Sequence, residues 1–233
     1  MLSDLELMRL HVEAEFTHDA AGQLVSTNEP TSAPAPRFFL GHTALGVIRR
    51  YRHDVPEVCR RALETASAIT ELGTSATDGP LDPTPYEHIL SQDAPIERTS
   101  VGLAFRFPPT LPSAPGTRVL RDAAEAALLH PLLAAWSPDV QSSQPLVALI
   151  VDGQAVAVCA SVRITRWAHE AGVETAAPFR GRGHAPAVVA AWAAAVRALG
   201  AEPLYSTSWQ NAASRAVARK LGLVPCGRDL HIA

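Results

Sequence analysis

Along residues 2–16 the apolar positions Leu2, Leu5, Met8 or Leu10, and Val12 recur at helical spacing, and Ser3 or Asp4 is placed to cap that helix. The stretch "STNEPTSAPAP" (26–36) breaks the pattern with proline and small polar residues and reads as loop. Two short β-like runs around Gly41–Gly46, within "RFFLGHTALGVIRRYRH" (37–53), predict a hairpin. Asp54 and Pro56 open a helix, "PEVCRRALETASAI", that ends near Gly73, and the chain from Gly73 to Pro85 is turn-rich. Residues 1–95 therefore read as a small extension of helix and hairpin, and no catalytic motif lies in it.

From residue 100 the pattern is more regular. "SVGLAFRF" (100–107) is a strand closed by two prolines, and "PSAPG" (112–116) is a turn. Residues 117–136 carry helical periodicity, with Pro131 kinking or breaking the helix. Residues 145–164 are two apolar runs joined by Asp152–Gly153, the strongest short hairpin signal. A strand over 168–176, a helix over 184–199 ending at Gly200, a strand over 203–209, a helix over 211–223 and a terminal strand "VPCGRDLHI" follow. The order is β, α, β-hairpin, β, α, β, α, β, an α/β layer on a mixed sheet.

Composition narrows the function classes. A chain of 233 residues, 47% hydrophobic and 18% charged, has the makeup of a globular protein with a real core. A net charge of −3 gives no general pull toward nucleic acid or an anionic membrane, so any basic site is local. No apolar run approaches the ~18 residues of a membrane span, and "MLSDLELMRLHVEAEF" is acidic and amphipathic rather than a secretory leader. Cys59, Cys159 and Cys226 are widely spaced, which fits reduced thiols in a cytoplasmic protein and no zinc cluster. His169–Glu170 is not followed by a second histidine at HExxH spacing, so no metal site is expected, and no GxSxG elbow supports serine hydrolysis. Trp136, Trp167, Trp192 and Trp209 are expected to be packing residues, with Trp209 also a candidate to border an acceptor pocket.

The stretch "VETAAPFRGRGHAPAVVAAWAAAVRALG" (173–200) carries the chemistry. A strand feeding a tight turn and then a helix points backbone N–H groups and the helix dipole at one place, an anion site. Gly181 and Gly183 let backbone approach a bulky phosphate, and Arg180 and Arg182 add charge there. The turn lacks the GK[ST] of a phosphate-binding P-loop and the third glycine of a dinucleotide fingerprint. As a bland alternative, these are ordinary turn glycines or an RG element of a nucleic-acid binder; the flanking strand and alanine-rich helix argue against the latter.

What the turn does contain is R-x-x-G-x-A, at Arg180, Gly183 and Ala185. This resembles the pyrophosphate-binding turn of the GNAT superfamily, the acyl-CoA-dependent N-acyltransferases. A second match follows in order: Asn211, Ser214 and "KLGL" (Lys220–Leu223), similar to the N-x-x-S…K-L-G helix of that family. The resemblance covers roughly residues 100–233. It implies a GNAT-like mixed central sheet with splayed parallel strands flanked by helices, occupying residues 96–233, with the extension before it. It implies acetyl-CoA (coenzyme A) held between strands 168–176 and 203–209. Val173 and Thr175 would pair with the pantetheine amides, Arg180, Gly181, Arg182, Gly183, His184 and Ala185 would hold the diphosphate, and Asn211 and Ser214 would touch the cofactor. Asn211 is equally well placed as a simple N-cap, and Arg215 and Lys220 as a solvated helix face.

The activity implied is transfer of an acetyl group to a primary amine by direct attack, which needs a general base. Glu170, His169 and Glu174 are the candidates, with His169 on one strand face and the two glutamates on the other unless a bulge intervenes. Glu170 is preferred. Ala218 stands where many members carry a tyrosine that protonates the leaving thiolate, so Tyr205, a hydroxyl of "STS" (206–208) or no acid at all takes that part. That departure leaves room for a non-catalytic acyl-CoA-binding or regulatory protein on the same fold, and the acceptor is a small-molecule amine, a protein N-terminus or a lysine. Acceptor contacts are expected from loops 73–99 and 108–116. A homodimer is left open, with no nucleic-acid or membrane partner.

Overall fold

The computed structural model describes residues 2–70 and 79–233, with backbone only at 69 and 70. Helix α1 (Asp4–Glu15) begins with a reciprocal cap: Ser3 Oγ accepts from the Glu6 N–H at 3.2 Å, and Glu6 Oε2 accepts from the Ser3 N–H at 2.7 Å. Strands β1 (Phe16–His18) and β2 (Leu24–Thr27) form a small antiparallel ribbon that the sequence pattern did not announce. Its second strand takes the first residues of the stretch expected to be loop. The hairpin of β3 (Phe38–Thr43) and β4 (Gly46–Tyr51) is as expected, though Gly41 lies inside β3 and not in the turn. Helix α2 (Glu57–Thr70) follows; its expected end near Gly73 lies outside the described residues. Helix α3 (Thr84–Ser91) starts with Pro85 in its first turn, where the missing N–H costs nothing, and it occupies part of the expected acceptor loop 73–99.

Strand β5 (Thr99–Arg106) comes next, and then the largest departure from the sequence reading. Residues 117–136 are not one broken helix. They are strand β6 (Thr117–Leu120), a single-turn helix α4 (Ala123–Ala126) and a 3-10 helix (Pro131–Asp139). Two local signals outweigh the periodicity. Thr117–Leu120 pairs along its whole length with β7 (Leu146–Val151), and Asp122 accepts from the Glu125 N–H at 2.8 Å as an N-cap in mid-stretch. Beyond this, β8 (Gln154–Ile164), β9 (Ala168–Thr175), α5 (His184–Ala198), β10 (Glu202–Ser208), α6 (Ala212–Lys220) and β11 (Val224–Ile232) fall where the pattern puts them. The β7–β8 turn has φ of 50° at Asp152 and 80° at Gly153, the pair of positive values that Asp-Gly hairpins favour.

The fold is mixed α/β, a mixed sheet flanked by helices, and two compact units divide it: Met1–Arg106 with Ser206–Ala212 and Pro225–Ala233, and Phe107–Tyr205 with Ala213–Val224. In the first, strands run in the order β4–β3–β11–β5. Phe38, Leu40, Leu63, Tyr86, Leu90 and Leu230 bury their side chains together there, and Arg37 ties the end of α3 down, donating to the carbonyls of Leu90 and Ala94 at 3.1 Å each. In the second, strands run β10–β9–β8–β7–β6, with α5 packed on β7, β8 and β9. Trp192 of α5 is fully buried, whereas Trp167 is 59% exposed and lies under the Arg166 guanidinium, so it is no packing residue. The three cysteines are free and buried. No described helix is long and apolar enough to cross a membrane.

Candidate functional site

The parallel pair β9–β10 is short. It registers Glu202 with Ala168, Pro203 with His169 and Leu204 with Glu170, and stops. The β9 edge over residues 171–175 therefore has no strand partner on that side among the described residues, an edge an extended ligand can join. Val173 and Thr175 are on this stretch, paired on the other side with Cys159 and Ala157 of β8. Thr175 Oγ1 is buried and lacks a hydrogen-bond partner among the described residues.

After β9 a 3-10 turn (Ala177–Phe179) leads into the arginine-glycine turn. Gly181 and Gly183 have φ of +78° and +84°, which branched side chains do not tolerate, and a Cβ on either would meet nothing within 4 Å. Backbone at both glycines thus faces open space. Gly183 is the N-cap of the 15-residue α5 and brings no capping side chain, and the first turn of α5 carries no acid. Pro186 has no N–H, so the donors of that first turn come from His184 and Ala185. Arg180 donates Nε–H to the Thr175 carbonyl at 3.1 Å, and the Arg182 guanidinium lies 5.5 Å from the Phe179 ring centroid. Both arginines are exposed. This donor set, with positive charge and room at the glycines, fits a diphosphate.

The base candidates sit in different surroundings. Strand alternation holds, because the β8–β9 irregularity lies in β8, between Ser161 and Arg163. His169 is buried, with Nδ1 2.9 Å from Ser161 Oγ, and that hydroxyl also accepts from Trp192 Nε1 at 3.1 Å. Burial pushes its pKa below the usual histidine value, so it is neutral near pH 7. Glu174 is on the opposite face and accepts from Trp136 Nε1 at 2.7 Å. Glu170 shares that face, is buried, and stands at the last register of the β9–β10 pair. The sequence pattern pointed to neither tryptophan as a partner of the base candidates; Trp136 and Glu174 are 38 residues apart, and only folding brings them together.

Ser214 and Tyr205 also meet: the two hydroxyls are 2.7 Å apart, and Tyr205 also donates to the Ser214 carbonyl at 3.2 Å. Burial raises the Tyr205 phenol to about 12. Ala218, one turn further along α6, is fully buried. Asn211 is exposed just ahead of α6, in the segment that clusters with the first unit.

Residues 116–223 match the acetyltransferase (GNAT) family model. This segment is a GNAT acetyltransferase domain. Two solved structures share the fold. A GNAT-family acetyltransferase from Colwellia psychrerythraea is 12% identical, with 79% of this chain and 75% of that one covered and a TM-score of 0.51. A GCN5-related N-acetyltransferase from Kribbella flavida is 16% identical, with 97% and 93% covered and a TM-score of 0.50. A GNAT-family protein from Novosphingobium aromaticivorans is 21% identical at a TM-score of 0.47; the match spans 59% of this chain and 65% of that protein, under two thirds of its length. No curated protein matches the chain. In the GNAT domain, the turn opening α5 directly follows the stretch of β9 that has no second strand partner among the described residues.

Proposed function

We propose that the chain is an N-acetyltransferase that moves an acetyl group from acetyl-CoA to a primary amine. The observation that carries this is the Arg180–Gly183 turn, open at both glycines and set at the head of α5 directly after the unpaired edge of β9. Val173 and Thr175 on that edge would bind the pantetheine arm by main-chain pairing, and Arg180 to Ala185 would hold the diphosphate, with Ser214 as a further contact. Acetyl-CoA supplies the activated acyl group as a thioester. Glu170, buried at the last register of the β9–β10 pair, would take the proton from the attacking amine. The acceptor would be a small-molecule amine, a protein N-terminus or a lysine, and the buried reduced thiols fit the cytoplasm.

Buried Ala218, in the position of an expected tyrosine, favours one rival: an acyl-CoA-binding protein without turnover. Calorimetric titration with acetyl-CoA, of the wild-type chain and of Gly183→Val, followed by thiol detection in the presence of primary amines, tests both. The expected result is saturable binding weakened at least tenfold by Gly183→Val, since a β-branched residue at φ +84° is strained by ~1–3 kcal/mol and fills the open turn. Absence of wild-type binding, or equal binding by a folded variant, overturns the cofactor assignment. Binding without thiol release from any amine leaves the non-catalytic reading in its place.

A further inference from the structure

Within the first unit, three residues from the two ends of the chain converge. Asp229 and His231 are two apart on β11 and so share a face, opposite Gly41 and Phe39 of β3. Helix α1 lies close on that sheet because glycines leave it room. A Cβ on Gly41 would come within 2.4 Å of Met8 Cγ, and one on Gly227 within 2.4 Å of Met8 Cε. Met8 therefore nests on bare backbone, and His11, on the same helix face, is brought over Asp229. Gly102 of β5 completes the opening: a Cβ there would sit 2.6 Å from Asp229 Oδ1.

The result is a compact donor set. His11 Nε2 is 3.8 Å from Asp229 Oδ2, His231 Nε2 is 3.1 Å from Asp229 Oδ1, and ligand atoms of all three lie within 4.8 Å of one another. The His11 and Asp229 side chains are 3% and 8% exposed, and His231, at 21%, is packed by the rings of Phe16 and Phe39. Asp229 Oδ2 and His231 Nε2 are buried and have no hydrogen-bond partner among the described residues. A carboxylate oxygen taken out of water unmatched is costly, and Asp229 Oδ2 has His11 Nε2 only at 3.8 Å, beyond hydrogen-bond reach.

We propose that His11, Asp229 and His231 bind a divalent first-row transition metal ion of the zinc class. Two nitrogens and one carboxylate suit such an ion, while calcium and magnesium call for oxygen ligands. With bonds of about 2.0–2.2 Å, ligand atoms on one zinc sit about 3–3.5 Å apart, so the set closes by small imidazole rotations. Three protein ligands leave a fourth position open, and the ion joins α1 to β11. This inference is independent of the acetyl-CoA reading, which concerns residues of the second unit.

The test uses the full chain, free of any histidine tag and stripped with a chelator, titrated with cobalt(II) and then zinc. The expected result is one equivalent of cobalt with the strong visible absorption of a four- or five-coordinate ion, displaced by zinc, together with a raised thermal midpoint. His231→Ala and Asp229→Asn should each weaken cobalt binding at least tenfold and abolish the thermal shift, while His53→Ala, at an exposed histidine, should do neither. An aqua-ion spectrum from the wild-type chain rejects the site whether or not a variant folds. Unchanged binding by His231→Ala and Asp229→Asn assigns the metal elsewhere and also rejects it. Acetyl-CoA titration of the same samples reads the other site separately.

Discussion

In the second unit, Arg180 and Arg182 stand exposed on a turn whose shape is set by backbone, and the residues proposed to hold the diphosphate, 180–185, are consecutive. In the first unit, His11, Asp229 and His231 are sunk between helix and sheet, His11 placed by α1 and both Asp229 and His231 by β11. A site made by consecutive backbone N–H groups tolerates change at most side chains but not at its glycines. A site made by side chains from distant elements depends on the packing that brings them together. The two regions should therefore fail differently when altered.

The largest effect is expected at the proposed general base of the second unit. Glu170→Gln should lower kcat/KM for the amine by about 10²-fold or more and leave acetyl-CoA affinity unchanged, because only proton transfer is removed. Wild-type turnover by this variant would strike Glu170 from the role of base. Next comes a test of packing in the first unit. Arg37 is almost fully buried, donates to the carbonyls of Leu90 and Ala94, and pairs with Asp93 at 2.6 Å. Arg37→Ala should cost ~2–3 kcal/mol in urea unfolding, mostly from the buried carbonyls left unpaired, since Asp93 is itself 36% exposed and regains water. A loss below ~0.5 kcal/mol would mean that α3 is held by its apolar contacts alone.

The same contrast explains what the sequence revealed. The strands and helices from 145 to 232 were legible because their apolar runs are bounded by unambiguous punctuation: Asp152–Gly153, Gly183, Gly200 and Gly222. The arginine-glycine turn was legible for the same reason, being a local object. Residues 117–136 were misread because Thr117–Leu120 gains its strand character from pairing with β7, a contact absent from any window of sequence. The ribbon of β1 and β2 was missed because three and four residues are too few for a period to declare itself. The His11–Asp229–His231 set was invisible in principle to spacing rules, its members being at opposite ends of the chain.

A smaller effect is expected at Ser161, whose hydroxyl serves both His169 and Trp192 inside the second unit. Ser161→Ala should cost ~1–3 kcal/mol, since the Trp192 N–H and His169 Nδ1 stay buried after their shared partner goes. His169 also sets an acid limit. Its folded pKa lies below the unfolded value near 6.5, so the unfolded chain binds the proton more readily, and stability should fall as pH drops below about 6.5. His169→Gln should flatten that limb in unfolding measured from pH 8 to pH 5; an unaltered limb would assign it to other groups.

The smallest effect at neutral pH, and the most diagnostic in its pH dependence, belongs to Tyr205. At pH 7 Tyr205→Phe should cost only ~1 kcal/mol, the net value of the bond to Ser214. The wild-type phenol titrates near 10 when unfolded and about 12 when folded, so the folded chain holds the proton more tightly. The stability this gives is complete below pH 10 and drains away as pH rises toward 12. Tyr51, raised to about 12 by its own burial, is present in both proteins and cancels in the comparison. The difference between wild type and variant should therefore be constant up to pH 10 and shrink above it. Unfolding curves that stay parallel through that range would mean that the Tyr205 phenol reaches water in the folded protein, which would make its pairing with Ser214 too loose to stand in for the tyrosine absent at Ala218.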